Sequence, residues 1–215
     1  ELMKSWISQA GYPLLEVAII KDKIKIKQSR CNNPNKQIWP IPISITSEGV
    51  CYNKILNKKE EIFNISPNKI KLNHEQYGFY RTKYSEDMLK SLGNLIKTKN
   101  LTLADRWGLN NDFWMLCTIG KKRIKEYFDF IENYSEEDSY IILSEILSSI
   151  RKLDRLLLKN KFWNQEKKRI TSKILPTYKA ILGKLGIEPK QKETTEETLQ
   201  RSTALNFCIF ADDKE

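Results

Sequence analysis

Short segments of alternating apolar and polar residues occupy the first third of the chain. In the clearest one, residues 41–46, isoleucine alternates with Pro, Ser and Thr, which gives one apolar and one polar face. Pro40 and Pro42 lack the amide hydrogen of a ladder, so this run is expected at a sheet edge or with one rim unpaired. Such spacing predicts a small antiparallel β-sandwich. The predicted strands are 14–20, 24–28, 41–46, 61–65, 69–72 and 78–84.

After Tyr84 the apolar period changes to that of a helix. Ser85 is an N-cap residue followed by two acids, and apolar residues then recur at helical spacing. Residues 135–138 and 195–197 repeat this start signal, and Gly183-x-x-Gly186 with Pro189 ends a helix. The chain is therefore predicted to be multidomain, β then α. Residues 11–84 are predicted to form a β-sandwich. Residues 85–215 are predicted to form an α-helical bundle or solenoid of stacked antiparallel helix pairs, with helices of about 12–20 residues.

Length and composition exclude several classes of protein. The 215 residues are 40% hydrophobic and 30% charged, which is typical of one or two folded domains rather than a disordered chain. No stretch approaches the roughly 20 apolar residues of a membrane span. The first residues contain neither an initiator Met nor a secretory signal, so we expect a segment cut from a longer protein.

The net charge of +10 makes nucleic acid and acidic membranes candidate binding partners. However, 29 of the 37 basic residues are Lys, and Lys, Ile and Asn are all abundant, as in A/T-rich coding sequences. In the densest run, 21–27, Lys alternates with Ile, which predicts one solvated face of a strand. Arginine, which reads base edges, is scarce. The composition therefore argues against nucleic-acid binding, and the Lys-rich face keeps it as the weaker alternative.

The cysteines and the single histidine limit the chemistry of the chain. Cys31, Cys51, Cys117 and Cys208 form no Cys-x-x-Cys pair, and reduced thiols in a cytoplasmic protein are expected, with a Cys31–Cys51 disulfide as the alternative. His74 begins a His-Glu-x-x string that has Gly where a second zinc ligand would stand. We therefore predict no catalytic residue, no metal ligand and no cofactor in this chain.

Three strings, in order along the chain, resemble one family. They resemble zinc aminopeptidases related to aminopeptidase N, puromycin-sensitive aminopeptidase and the archaeal tricorn-interacting factors. In that family they mark the exit from the catalytic domain, the closing strand of the β-sandwich and the opening helices of the helical domain. The strings are Trp6-x-x-Gln9-x-Gly11-Tyr12-Pro13, Leu72-Asn73 with Gly78-Phe79-Tyr80-Arg81-x-x-Tyr84, and Asp105-Arg106-x-Gly108-Leu109-x-x-Asp112-x-Trp114.

The resemblance implies that the active site lies outside this chain. In the family a preceding domain carries Gly-x-Met-x-Asn and His-Glu-x-x-His and binds zinc, and residues 1–10 would be the tail of that domain. The chain would then be the spacer and part of the lid of a cytoplasmic enzyme that removes N-terminal residues from peptides. Its partner would be the catalytic domain of the same protein, or a separate catalytic subunit if the gene is split. A free-standing binding or adaptor module is the alternative.

Structural or domain-joining roles are expected for nine residues, and no substrate-binding residue is assigned. Trp6 belongs to an apolar helical stripe that would close onto the catalytic domain. Residues 78–81 are expected to pack in the core. Asp105 and Arg106 are adjacent on a helix, so they are expected to bond to neighbouring elements rather than to each other. The nine are Trp6, Gly11, Pro13, Gly78, Tyr80, Arg81, Asp105, Arg106 and Asp112.

Overall fold

A computed structural model describes residues 2–32, 36–158 and 160–211 of the chain. It contains two compact units: Glu1–Leu95 with Asn100–Lys122, and Ile96–Lys99 with Arg123–Glu215. The domain boundaries expected from the sequence, before residue 11 and after Tyr84, stay a prediction. Among the described residues, no helix is both long and apolar enough to cross a membrane.

The first unit is built from two β-sheets. The elements are α1 (Leu2–Ser8), β1 (Pro13–Ile20), β2 (Lys23–Arg30), β3 (Ile41–Ser47), β4 (Val50–Leu56), β5 (Glu60–Phe63), β6 (Lys71–Leu72), a 3₁₀ turn (His74–Gln76), β7 (Arg81–Tyr84), α2 (Glu86–Lys97) and α3 (Leu103–Thr118). Strand order is β5-β2-β1-β7 in one sheet and β4-β3-β6 in the other. The sequence predicts antiparallel strands; β7 instead runs parallel to β1, and the other pairs are antiparallel.

Alternation along β2 places its isoleucines in the core and its lysines outside. Ile24 and Ile26 are fully buried, and Lys25 pairs with Glu60 of β5 at 2.9 Å. Gln28 takes the next inward position, where its amide donates to the Trp39 carbonyl and accepts from the Trp39 amide. A polar side chain is tolerated there because its amide is hydrogen-bonded.

The edge strand β4 is missing from the predicted set. Its residues up to Ile55 are exposed, so no buried face marks the strand in the sequence. Glu48 and Gly49 join it to β3 with φ of 49° and 84°, which is the geometry of a two-residue hairpin. β3 is therefore central, not an edge strand. However, β6 pairs only with Ile45 and Thr46 of β3. Among the described strands, Pro42 therefore has a neighbouring strand on one side only, which is β4.

The second unit is helical, which confirms the predicted order of β then α. Gly186 ends the helix Lys161–Leu185 (α6) as expected, at a φ of +82°. Two details were wrong. The helix expected after the signal at 135–138 begins at Tyr140 behind Ser139, and α6 has 25 residues with Pro176 inside it. The elements are α4 (Ile124–Ile131), a 3₁₀ turn (Glu132–Tyr134), α5 (Tyr140–Leu157), α6 (Lys161–Leu185) and α7 (Thr195–Phe210).

An aromatic stack joins three helices of the second unit. The rings of Tyr178 in α6 and Phe207 in α7 are parallel within 2°, with centroids 3.9 Å apart. The Tyr178 hydroxyl donates to the Leu143 carbonyl of α5 at 2.8 Å. Both aromatic residues are buried, so the stack contributes apolar burial as well as one satisfied hydrogen bond.

Replacing Phe207 tests this core. We expect Phe207→Ala to lower the free energy of unfolding by about 3–5 kcal/mol, because the substitution removes a buried ring and leaves a cavity. Ile209→Ala, two residues along α7 at a position 75% exposed, is the matched control and should change it by no more than about 0.5 kcal/mol. Urea denaturation followed by circular dichroism measures both, and equal losses would contradict the assignment of Phe207 to the core.

Buried tyrosines predict a specific alkaline transition. Burial raises the pKa of Tyr84 and of Tyr178 well above the ordinary value of 10.0. The folded chain therefore keeps protons that the unfolded chain releases above about pH 10, so the free energy of unfolding falls as pH rises through that value. We expect the tyrosinate absorbance to rise in two steps, the second coinciding with unfolding, whereas in concentrated urea a single step is expected. A single step in the native protein would contradict the burial.

Candidate functional site

The turn between β6 and β7 has an unusual backbone. Asn73, Glu75 and Gln76 all have left-handed conformations, with φ of 58°, 51° and 61°. Non-glycine residues rarely occupy this region, and each such residue costs roughly 1–3 kcal/mol unless its surroundings compensate. This turn therefore depends on the contacts that its surroundings supply.

Asp105, in the first turn of α3, fixes the turn through its buried carboxylate. Oδ1 accepts hydrogen bonds from Lys71 Nζ at 3.0 Å and from the Glu75 amide at 2.9 Å. Oδ2 lies 3.3 Å from Nδ1 of His74. The helix begins correctly for this purpose, because the Thr102 hydroxyl caps it by accepting from the Asp105 amide. One carboxylate thus binds strand β6, the turn and helix α3 together.

Lys71 is the cation of this cluster and is only 2% exposed. Its ammonium group donates to Asp105 and to the carbonyls of Leu72 and Asn73, so all three donors have acceptors. Burial lowers the pKa of Lys71, and the charge of Asp105 opposes that effect. Removing either member of such a buried pair leaves an uncompensated charge, which is costly.

A second carboxylate of α3, that of Asp112, holds β7. Its Oδ2 accepts from the Thr82 amide at 2.9 Å, and its Oδ1 accepts from Arg81 Nη1 at 3.0 Å. Arg81 also donates to Asn111 at 2.8 Å. Burial raises the pKa of the Asp112 carboxyl, while Arg81 and the Thr82 amide act in the opposite direction. Asn111 and Asp112 of helix α3 therefore hold β7 through hydrogen bonds from Arg81 and Thr82.

Two glycines allow this close packing. Gly78 exchanges hydrogen bonds with the side chain of Asn73, at 2.6 and 2.9 Å, and a Cβ on it would lie 2.2 Å from the Tyr80 ring. A Cβ on Gly108 of α3 would lie 2.1 Å from the Gln76 side chain. A larger residue at position 78 would displace the buried Tyr80 ring or the Asn73 amide that holds the turn, whereas at position 108 it would meet only the end of the flexible Gln76 side chain, which can move.

An apolar cleft of about 1020 Å³ lies beside this turn. Phe79, which follows the turn, is 71% exposed and lies 6.3 Å from the Trp6 ring between centroids. Trp6 is anchored by a hydrogen bond from Nε1 to the Pro40 carbonyl at 3.2 Å. The lining also contains the large side chains of Met3, Ile41, Ile43, Ile55 and Tyr77. A cleft of this volume with a mostly apolar lining is typical of a binding site.

All nine residues predicted to be structural lie in the first unit, and their domain-joining role stays a prediction. Gly11 has a φ of +95° beside Arg30, and Pro13 starts β1. Tyr80 is buried, and burial raises its pKa. Arg106 is buried and donates to the Leu101 carbonyl rather than to Asp105. The structure brings the remaining five, Trp6, Gly78, Arg81, Asp105 and Asp112, to the cleft, the turn and the α3 contacts.

Sequence reasoning missed two residues of the site and misplaced one. Lys71 is predicted only as part of a strand, and its place between Ile70 and Leu72 would put it on the face opposite to theirs, so the sequence pattern does not indicate its burial. His74 is assigned no role in the sequence analysis, whereas its Nδ1 lies 3.3 Å from Oδ2 of the buried Asp105. The expectation that Phe79 packs in the core is wrong, because most of its ring is exposed. Within the described ranges, no three His, Cys, Asp or Glu side chains are placed to hold a metal ion.

The buried pair can be tested by a conservative change. We expect Asp105→Asn to lower the free energy of unfolding by about 3–5 kcal/mol, because Lys71 keeps its charge and loses its counterion. Asp87→Asn removes a carboxylate that is 89% exposed and should change it by less than about 0.5 kcal/mol.

The double variant Lys71→Met with Asp105→Leu separates charge from packing. Much of the stability lost in Asp105→Asn should return in it, because apolar residues of similar volume often replace a buried ion pair without loss. Urea denaturation followed by tryptophan fluorescence measures all three variants. If Asp105→Asn lowered the free energy of unfolding no more than Asp87→Asn does, the stabilising role of the buried Lys71–Asp105 pair would be contradicted.

Comparison with known proteins identifies the family of the chain. The model of the ERAP1-like C-terminal domain matches residues 69–215. Aminopeptidase M1-A of Oryza sativa subsp. japonica is 30% identical over 162 residues, which are 69% of this chain and 18% of the relative. Aminopeptidase M1 of Arabidopsis thaliana is 26% identical over 238 residues, covering 100% of this chain and 27% of the relative.

Archaeal proteins give the same result. Tricorn protease-interacting factor F2 of Thermoplasma volcanium is 29% identical over 156 residues, 71% of this chain and 19% of the relative. Across these three relatives the aligned part is 18–27% of the relative's length, so this chain matches only a fraction of each. The resemblance seen in the sequence motifs is confirmed, and the chain belongs to the family of ERAP1-like C-terminal domains.

Proposed function

We propose that this chain is the non-catalytic segment of a zinc-dependent aminopeptidase that removes N-terminal residues from peptides. The observation that carries the proposal is the family match over residues 69–215, together with the relatives that bear aminopeptidase names. The chain contains a single histidine, so a His-Glu-x-x-His zinc site would have to be supplied by sequence outside it. Zinc and the peptide substrate would be bound there.

The apolar cleft is the proposed docking surface for the catalytic portion. It is lined by Trp6 and Met3 of α1, within the segment that resembles the tail of the catalytic domain. The turn held by Asp105 places the exposed Phe79 at the same cleft. A catalytic portion joined covalently through α1 would stay close to the cleft, so binding there would cost less translational entropy than binding from solution. A rigid apolar surface close to the junction is therefore suited to hold the catalytic portion against the spacer.

The helical residues are proposed to act as part of a lid over the substrate chamber of the cytoplasmic parent enzyme. A lid of this kind limits the length of the peptides that enter and works through an opening and closing equilibrium between domains. The exposed cleft also fits a free-standing adaptor module, which would bind another protein through the same aromatic residues. The catalytic portion distinguishes the two, because only the segment of an enzyme should change peptide cleavage.

The test is a reconstitution. The full chain is mixed with a catalytic portion that carries His-Glu-x-x-His, and hydrolysis of a chromogenic leucine amide and of peptides of increasing length is measured with and without a chelator. We expect no hydrolysis by the chain alone. In the mixture we expect chelator-sensitive hydrolysis and a dependence on peptide length that the catalytic portion lacks. An unchanged length dependence despite measured binding would contradict the lid and favour the adaptor.

A pair of phenylalanine variants checks the docking surface. Phe79→Ser should weaken binding of the catalytic portion at least about tenfold, because exposed aromatic residues in apolar clefts are typical binding hot spots. Phe162→Ser, at an 81% exposed position of the second unit, is the matched control and should leave binding unchanged. Equal effects of both substitutions would contradict docking at the cleft.

A further inference from the structure

A polar groove of about 300 Å³ lies on the second unit, along α5 and α7. Its described lining combines three cationic side chains with three hydroxyl groups and contains no acidic residue. The six are Arg151, Lys152, Arg155, Ser144, Ser148 and Thr203. A concave surface of one charge sign concentrates counterions, so the groove is suited to an anion.

The two arginines differ from the other arginines of this unit. Arg123 pairs with Glu126, Arg169 with Glu166, and Arg201 with Glu193. Among the residues that the structure describes, neither Arg151 nor Arg155 has a carboxylate partner. They are four residues apart on α5 and so share one face, where like charges destabilise a helix. A bound anion would remove that repulsion.

Arg151 is already oriented at the groove. One Nη2 hydrogen donates to the Asn206 carbonyl at 3.1 Å, and the guanidinium lies 5.7 Å from the centre of the Phe210 ring. A guanidinium has five N–H donors, so this single hydrogen bond leaves others for a ligand. A held arginine loses less entropy on binding than a mobile one.

We propose that this groove binds a small, multiply charged oxyanion of the phosphate type. The guanidinium groups of Arg151 and Arg155 would bind its oxygens, Lys152 would add charge, and the hydroxyls of Ser148 and Thr203 would donate hydrogen bonds. Three positive charges match a dianion better than a single carboxylate. The volume is at the lower limit for ligand pockets, which fits a free phosphate or one phosphomonoester group. The proposal does not depend on the aminopeptidase assignment.

Calorimetry of the full chain at constant ionic strength tests the site, with chloride as the background anion. The probes are inorganic phosphate and glycerol phosphate, and tighter binding of one or the other identifies the source as the free ion or a phosphomonoester.

The double variant Arg151→Gln with Arg155→Gln should weaken phosphate binding about tenfold or more for each arginine, the usual effect of losing a charge-assisted hydrogen bond. The control is Lys125→Gln with Lys168→Gln, which removes two exposed cations of the same unit and should change affinity less than about twofold. Circular dichroism establishes that each variant is folded.

Two outcomes would overturn the proposal. The first is the absence of saturable phosphate binding to the unmodified chain. The second is an equal loss of affinity in the control pair, which would show that the anion responds to the general positive charge of the protein rather than to this groove.

Discussion

The buried ion pair between Lys71 and Asp105 is the interaction on which the first unit depends. It joins β6, the strained turn and α3 through one carboxylate and one ammonium group. Left-handed conformations at Asn73, Glu75 and Gln76 are costly by themselves, so the turn persists only because these contacts determine it. The position of Phe79 at the cleft follows from the same contacts.

Such a pair contributes specificity more clearly than stability. Desolvation of two charges offsets much of their attraction, and an apolar pair of the same volume would hold the elements as well. An apolar pair, however, would not satisfy the amide of Glu75 or the carbonyls of Leu72 and Asn73. The directional bonds of Lys71 and Asp105 therefore determine one turn geometry among several that an apolar contact would permit.

The elements with a strong buried period were predictable, and those without one were not. β2 and β3 bury isoleucine at every second residue, so the alternation predicts them directly. β4 is exposed along nearly its whole length, and only the turn at Glu48 and Gly49 marks it. The start of α5 was misplaced because the residues after Tyr134 include two serines with acids nearby, and a local cap signal cannot distinguish them.

The sequence indicated the two carboxylates of the candidate site, but it did not indicate the buried lysine. Asp105 and Asp112 belong to a string that resembles the family, so sequence comparison selects them. Lys71 has no such string, and in a chain with 29 lysines composition favours an exposed position for each of them. Its burial is decided by tertiary structure, because only the approach of α3 supplies the carboxylate that makes an inward lysine tolerable.

Pairing of charges, rather than net charge, indicates where this protein would bind an ion. Some carboxylates of the second unit pair with cations of another element, as when Arg169 of α6 approaches Asp129 of α4 at 3.8 Å and Glu132 of the following turn at 3.7 Å. On β2 of the first unit, Lys25 is likewise neutralised by Glu60. Since these cations have internal partners, the +10 charge of the chain does not describe a uniformly basic surface. An external anion gains most where fixed cations lack partners, because there it relieves repulsion as well as forming hydrogen bonds.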